Sequence, residues 1–349
     1  MLGAVLLVSA ALSSILIPLV IRFCHRHRLY DRLNERKVHK EERMPRLGGV
    51  GIALSFIITV SVIAIMQRNE FAYFRDHLAV WPIIGAATLV FLTGLLDDLF
   101  DLSAWIKFGL QSLAAVIIMA AGYRFRYMQI PFGTGLLDFG LVAYPLTFLW
   151  IVGVTNAINL IDGIDGLAGG VSGLSALSFA LFFMFTSSVL PAEICLALLG
   201  SIIGFLLFNL PPARIFMGDC GSLFLGFMLA IIPLLSQVHS GSEHSIGVVS
   251  AATVLSIPIF DTLMAMYRRA KAGRSFFSSD RKHLHHVLLD RGYSTRSILA
   301  ILYALTSVLG LVALSSLFLP LSWSFFLNLA MLGVMFGYFM RINATGAAI

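Results

Sequence analysis

Four polar clusters interrupt an otherwise apolar chain. The first is Asp97-Asp98, with Asp101 close behind. Two adjacent carboxylates at the end of an apolar run repel each other and resist desolvation unless a cation sits with them. The second is Asn156, Asn159, Asp162 and Asp165 in TNAINLIDGIDGLAGG. Its glycines allow tight backbone paths beside a ligand. Its amides and carboxylates can accept hydrogen bonds from a base or sugar, or coordinate a hard cation. An Asx turn needs fewer polar groups than this. The third cluster brackets NLPPARIFMGD with Asn209 and Asp219. Asp219 stands at an expected helix start, where free N–H groups and the positive end of the dipole collect anions. An ordinary N-cap is the plainer account of it. The fourth is His283, His285 and His286 in DRKHLHH. That spacing spreads the rings around a helix and no cysteine is near, which argues against zinc. With Arg281 and Lys282 alongside, a donor-rich lobe for a phosphate-bearing ligand fits better. A basic loop lying on anionic lipid would explain the Lys and Arg but not three clustered His.

These clusters need elements to hold them, and the composition says which. Apolar residues make up 58% of the 349 and charged residues 12%, against about 45–50% and about 25% in soluble domains. The mean hydropathy is +0.91. So little charge cannot cover a soluble protein of this size, and a cytosolic enzyme, a disordered chain and a secreted disulfide scaffold are all excluded. The three cysteines, Cys24, Cys195 and Cys220, are odd in number and far apart, and make neither a disulfide frame nor a metal set. The expected fold is an all-α polytopic membrane protein, one domain over 1–349.

A spanning helix needs about 20 apolar residues. Eleven runs qualify, at about 2–22, 48–66, 78–96, 104–122, 136–156, 167–186, 189–208, 220–236, 246–267, 297–318 and 320–340. The first is not read as a signal peptide, because no Lys or Arg precedes Arg22. With the N-terminus outside and the C-terminus cytoplasmic, 20 of the 24 Lys and Arg fall inside; Arg68, Arg75, Arg124 and Arg126 remain outside. That asymmetry satisfies the positive-inside rule. The cytoplasmic loops are then about 23–47, 97–103, 157–166, 209–219 and 268–296, and all four clusters fall on that face. Carboxylates for Mg²⁺, cations for phosphates and polar groups for a head group, together at one membrane face, suggest phosphoryl transfer from a cytosolic donor to a lipid.

The motifs, in order, resemble the polyprenyl-phosphate N-acetylhexosamine-1-phosphate transferases (glycosyltransferase family 4). They are Asp31…Arg36-Lys37-Val38-His39…Pro45-Arg46-Leu47-Gly48-Gly49, Asp97-Asp98, Lys107…Gln111, NAINLIDGIDGLAGG, Asn209…PARIFMGD and Asp280-Arg281-Lys282-His283-Leu284-His285-His286. The chain is most similar to bacterial undecaprenyl-phosphate GlcNAc-1-phosphate transferases. Phospho-MurNAc-pentapeptide transferases typically carry GTPTMGG where this chain has Met44-Pro-Arg-Leu-Gly-Gly49.

The resemblance implies that a UDP-N-acetylhexosamine and undecaprenyl phosphate give undecaprenyl-diphospho-N-acetylhexosamine and UMP. That is the first membrane step of O-antigen, common-antigen or teichoic-acid type synthesis. It implies Mg²⁺, with Mn²⁺ as a substitute, held by Asp219 and Asn159. Asp97 or Asp98 would deprotonate or orient the lipid phosphate beside Lys107. Asp162, Asp165, Asn209 and Phe216 would contact uridine or sugar. Arg281, His283, His285 and His286 would engage pyrophosphate and sugar, and Lys37 and His39 would guard the opening. Direct displacement is favoured over a covalent Asp intermediate, because a positioned phosphate oxyanion is already a nucleophile. The expected setting is the bacterial inner (plasma) membrane with the site facing the cytoplasm. A homodimer is a further expectation, and a nucleic-acid partner is not expected.

Two rivals remain at this stage. Asp97-Asp98-x-x-Asp101 has the DDxxD spacing of intramembrane prenyltransferases, which leaves the FMGD and HLHH segments without a task. A secondary transporter would place its site near the midplane with internal repeats. Asp261 is the one proton-path candidate for it, and no repeat is visible.

Overall fold

A computed structural model describes residues 2–30, 44–66, 74–133, 135–237, 246–274 and 283–345. In chain order the helices are α1 (Leu2–His27), α2 (Gly48–Met66), α3 (Phe74–Phe100) and α4 (Ala104–Ala120), followed by a short hairpin, β1 (Tyr127–Gln129) and β2 (Leu136–Asp138). Then come α5 (Ala143–Ile161), α6 (Leu167–Phe185), α7 (Val189–Asn209), α8 (Gly218–Leu235), α9 (Val248–Val254), α10 (Ser256–Lys271), α11 (Leu284–Asp290), α12 (Thr295–Leu314) and α13 (Leu321–Thr345).

Among the described residues nine helices are long and apolar enough to cross a membrane, or ten if α9 and α10 count as one span. The protein is an all-α, multi-pass membrane protein. Each of the eleven apolar runs contains helix, with three departures. The run 104–122 is a 17-residue helix, below the usual spanning length. The run 246–267 is broken: α9 and α10 meet at 85°. Pro258 explains the break, since it has no N–H for the Val254 carbonyl and its ring crowds that carbonyl. The run 136–156 is shifted. Its first residues pair as β2 with β1, and α5 continues to Ile161. Asn159, expected in the loop 157–166, therefore lies within a helix together with Asn156.

The core is α8. It is apolar all round, and 89% of it is buried, against 22% for the spans of α1 and α13. It packs on α3, α5, α2 and α6. Glycines let the backbones approach at its start. A Cβ on Gly49 would stand 2.1 Å from Gly221 N, and one on Gly94 would stand 2.3 Å from the Asp219 carbonyl oxygen. Around this core α1 grips α7 by polar contacts within the apolar layer. Ser9 Oγ donates to the Ala197 carbonyl at 2.6 Å and Ser13 Oγ to the Ser201 carbonyl at 2.8 Å.

Alternate crossings bring the C-terminal ends of α3, α5 and α7 and the N-terminal ends of α2, α4, α6 and α8 to one face. The first three polar clusters sit on these ends, and the histidine cluster sits at the start of α11, against the α5–α6 loop. The β hairpin lies at the opposite end, joined to α8 by Tyr127 N–H donating to Gln237 Oε1 at 3.2 Å.

Candidate active site

The two adjacent carboxylates of α3 do different things. Asp98 is buried and aims at the start of α8. Its Oδ1 accepts from Asp219 N–H and its Oδ2 from Cys220 N–H, both at 3.0 Å. It thus satisfies two of the free N–H groups of that helix and lies against the positive end of its dipole. Asp97, one residue earlier, faces α4 instead. Its Oδ2 accepts from Lys107 Nζ at 2.9 Å, and the same ammonium lies 3.3 Å from Asp219 Oδ2. Lys107 is presented by the first turn of α4, which Ser103 caps by accepting from Ile106 N–H. One cation between two carboxylates offsets the repulsion that the pair would otherwise suffer.

Asp219 owes its place to the FMGD segment, which is laced to residues 44–49. Phe216 N–H donates to the Pro45 carbonyl at 2.8 Å, Gly48 N–H to the Phe216 carbonyl at 2.9 Å and Gly49 N–H to the Met217 carbonyl at 2.8 Å. Gly218 sits at φ 73°, and a Cβ there would meet the Arg46 carbonyl at 2.2 Å and Asp98 Oδ2 at 2.6 Å. Only glycine fits both demands.

The end of α5 carries the amides. Asn156 Nδ2 donates to Gln111 Oε1 at 2.7 Å, tying α5 to α4, and Asn159 Nδ2 donates to Ser222 Oγ at 2.8 Å, tying it to α8. Asp162 then ends the helix as its C-cap. The loop after it is stitched to the α7–α8 loop. Asn209 Oδ1 accepts from Gly166 N–H at 2.9 Å, its Nδ2 donates to the Ile215 carbonyl at 2.8 Å, and Asp165 Oδ2 accepts from Ala213 N–H at 3.0 Å. Asn209 and Asp165 are therefore engaged with backbone, which shapes the wall they belong to.

These segments line an open cavity of about 120 Å³. It is lined by Asp98, Asn159, Asp162, Asp165, Asn209, Phe216 and Asp219, all expected from the sequence, and by Arg46, Gly163 and Gly218. Lys107 and Asp97 join it through Asp219. Arg46 is the residue that sequence reasoning passed over. Its Nε is buried without a hydrogen-bond partner. Its signal in the sequence is its place in the PRLGG run, among many other cytoplasmic cations.

The histidines flank the cavity. His283 and His285 are buried, and their rings stack with centroids 6.1 Å apart and planes 7° apart. His286 lies 4.2 Å from His285. His285 presses on the α5–α6 loop so closely that a Cβ on Gly163 would stand 2.1 Å from its Nε2. Burial, and then the neighbouring His286, push the His285 imidazole down to about 3, so it is neutral at physiological pH. The structure brings this segment to the cavity wall but not into the cavity lining. Arg281, Lys37 and His39 lie outside the described residues. Among the described residues no three His, Cys, Asp or Glu side chains converge as a metal site.

A family profile described as "Glycosyl transferase family 4" matches residues 80–237. The chain is 35% identical over 300 residues to a Bacillus subtilis (strain 168) protein named "Probable undecaprenyl-phosphate N-acetylglucosaminyl 1-phosphate transferase". That alignment covers 86% of this chain and 80% of the relative. It is 32% identical over 325 residues to the Yersinia pestis undecaprenyl-phosphate alpha-N-acetylglucosaminyl 1-phosphate transferase, and 30% identical over 321 residues to that of Escherichia coli K12. Each of these two alignments covers 90% of this chain and 84% of the relative.

Proposed function

The chain belongs to glycosyl transferase family 4, and from that membership we propose that it transfers N-acetylglucosamine 1-phosphate from UDP-N-acetylglucosamine to undecaprenyl phosphate. An oxygen of the lipid phosphate attacks the sugar-bearing phosphorus. The bond from that phosphorus to the bridging oxygen breaks, and UMP leaves with the electron pair. The names of the relatives support the acceptor and the sugar. The observation that carries the reading is the meeting of Asp97, Lys107 and Asp219, from three helices, beside a polar cavity.

The donor set fits Mg²⁺. Asp97 and Asp219 already converge on one cationic group, and Asn159 lines the same wall as Asp219. One carboxylate and one amide, with no further strong ligand, suit an ion that completes its shell with substrate phosphates and water. We assign Asp219 and Asn159 as its protein ligands. When bound, Mg²⁺ offsets the charge of the pyrophosphate and of the leaving UMP. Asp97 orients the attacking phosphate, and Lys107 holds Asp97 and Asp219 together while supplying positive charge beside that phosphate. Asp98 acts indirectly, by fixing the helix start that carries Asp219. Asp162 and Phe216 take the uridine or sugar, inside a wall shaped by Asp165 and Asn209. Arg46, with its orphaned Nε, takes a substrate phosphate. The histidine segment, with Arg281, serves the pyrophosphate and sugar, and Lys37 and His39 guard the entry.

UDP-sugars are cytosolic and the charge asymmetry favours the same side, so the site faces the cytoplasm from the inner membrane. The product then enters surface polysaccharide synthesis. The test is Asp219→Ala in purified protein. The variant should insert and purify normally yet release no UMP, and EDTA should silence the wild type until Mg²⁺ or Mn²⁺ is returned. An Asp219→Ala enzyme that stays active and Mg²⁺-dependent would sink the metal assignment.

A further inference from the structure

The carboxylate of Asp261, in α10, lies outside the cavity lining. It is 2% exposed, and both of its oxygens are used. Oδ2 lies 2.7 Å from His283 Nδ1, and Oδ1 accepts from Leu284 N–H at 2.8 Å. The second bond caps α11. That helix has seven residues, and its N-cap residue His283 makes no side-chain capping bond of its own. The cap is supplied instead by a helix 22 residues away in the chain, one that packs on α5 and is turned by the break at Pro258.

We propose that Asp261 is the positioning residue of the histidine segment: it fixes the start of α11 and holds His283 with its proton on Nδ1, so that the row of rings keeps its place against the cavity wall. The chemistry is one of donors and acceptors. An ionised carboxylate only accepts, so a ring nitrogen 2.7 Å from it must carry the hydrogen. From His283 the contacts run on through the stacked ring of His285 to Gly163, on the cavity wall. One carboxylate thus sets the orientation of a row of rings that ends at the site. Asparagine at 261 would still accept from Leu284 N–H. It would turn an NH₂ towards His283, and the ring must then move its proton to Nε2 to keep a bond. The effect on turnover rests on the transferase reading; the effect on the ring does not.

The experiment uses the full-length protein in detergent, with ¹⁵N-labelled histidine, at pH 8. The His283 signal is identified by its loss in His283→Gln. We expect the wild-type ring to carry its proton on Nδ1. In Asp261→Asn the proton should move to Nε2, with UMP release from UDP-GlcNAc and undecaprenyl phosphate falling at least about tenfold, the order of one hydrogen bond to a charged group. A wild-type His283 with Nδ1 bare overturns the proposal, and this arm decides even if the variant does not fold. An inverted ring with undiminished UMP release overturns the functional half. A wild type with the proton on Nδ1 but no UMP release supports the geometry and counts against the transferase reading instead.

Discussion

At the scale of single residues, neighbours in sequence part company. Asp97 and Asp98 are adjacent, yet one faces the Lys107 ammonium and the other caps α8. Asp97→Asn should therefore leave thermal stability close to wild type and remove nearly all UMP release. Asp98→Ala should lower stability by about 1–2 kcal/mol through the lost cap, visible as a lower Tm in detergent, and lower activity with it. Equal Tm losses in both would contradict the division. Arg46 makes a second prediction. Arg46→Met should reduce kcat/KM about 10- to 100-fold, the worth of a hydrogen bond to a charged group, with Arg46→Lys in between. Varying UDP-GlcNAc and undecaprenyl phosphate separately shows which phosphate it serves, and unchanged constants for both would remove it from the site. The candidate residues were legible because carboxylates and amides are rare in so apolar a chain. What was not legible is the direction of each side chain. Periodicity puts Asp97 and Asp98 on the same helix end but cannot say which meets the α8 backbone. Arg46 is named by the PRLGG motif, but its charge alone does not set it apart from the other basic residues of its loop.

At the scale of elements, the site is an arrangement of helix ends locked by short loops. Glycines at 49, 94 and 218 allow α2, α3 and α8 to touch where Asp219 must sit, and Asn209 and Asp165 stitch the two loops that carry Asp162 and Phe216. Element α11 is held by Asp261 at its start and by His285 against Gly163, and the second contact is pH-sensitive. Folding holds the His285 pKa near 3, below its ordinary value of 6.5. Between those values the unfolded chain binds a proton that the folded chain refuses, so this contribution to stability is full above about pH 6.5 and is lost as pH falls towards 3. Tm should decline from pH 7.5 to pH 5, and His285→Gln should flatten part of that slope; an unchanged slope would contradict it. The long helices are readable from apolar runs alone, but α11 is not, since it lies in the basic stretch 268–296 expected to be a loop. The break between α9 and α10 was not, because a run of apolar residues has the same composition bent or straight, and Pro258 tells of a break without giving its angle. The start of α5 was also missed, because Leu136 and Leu137 are as apolar as helix residues and pair instead as β2.

At the scale of the molecule, the alternating helices put α1's first residue and the β hairpin at one face, and the site at the other. With the site cytoplasmic, a cysteine placed at the exposed Phe132 should react with an impermeant maleimide in intact spheroplasts. One at Gly273 should react only after lysis. The native cysteines are buried and are replaced for this purpose. The reverse pattern would invert the topology. Transfer is tested most directly with the purified protein in detergent, undecaprenyl phosphate and Mg²⁺. UDP-GlcNAc, UDP-GalNAc and UDP-MurNAc-pentapeptide are offered in parallel and UMP is followed. UMP should appear with UDP-GlcNAc, and EDTA or Asp97→Asn should abolish it. A folded protein that releases no UMP from any donor, and does not exchange added UMP in the reverse direction, would contradict it.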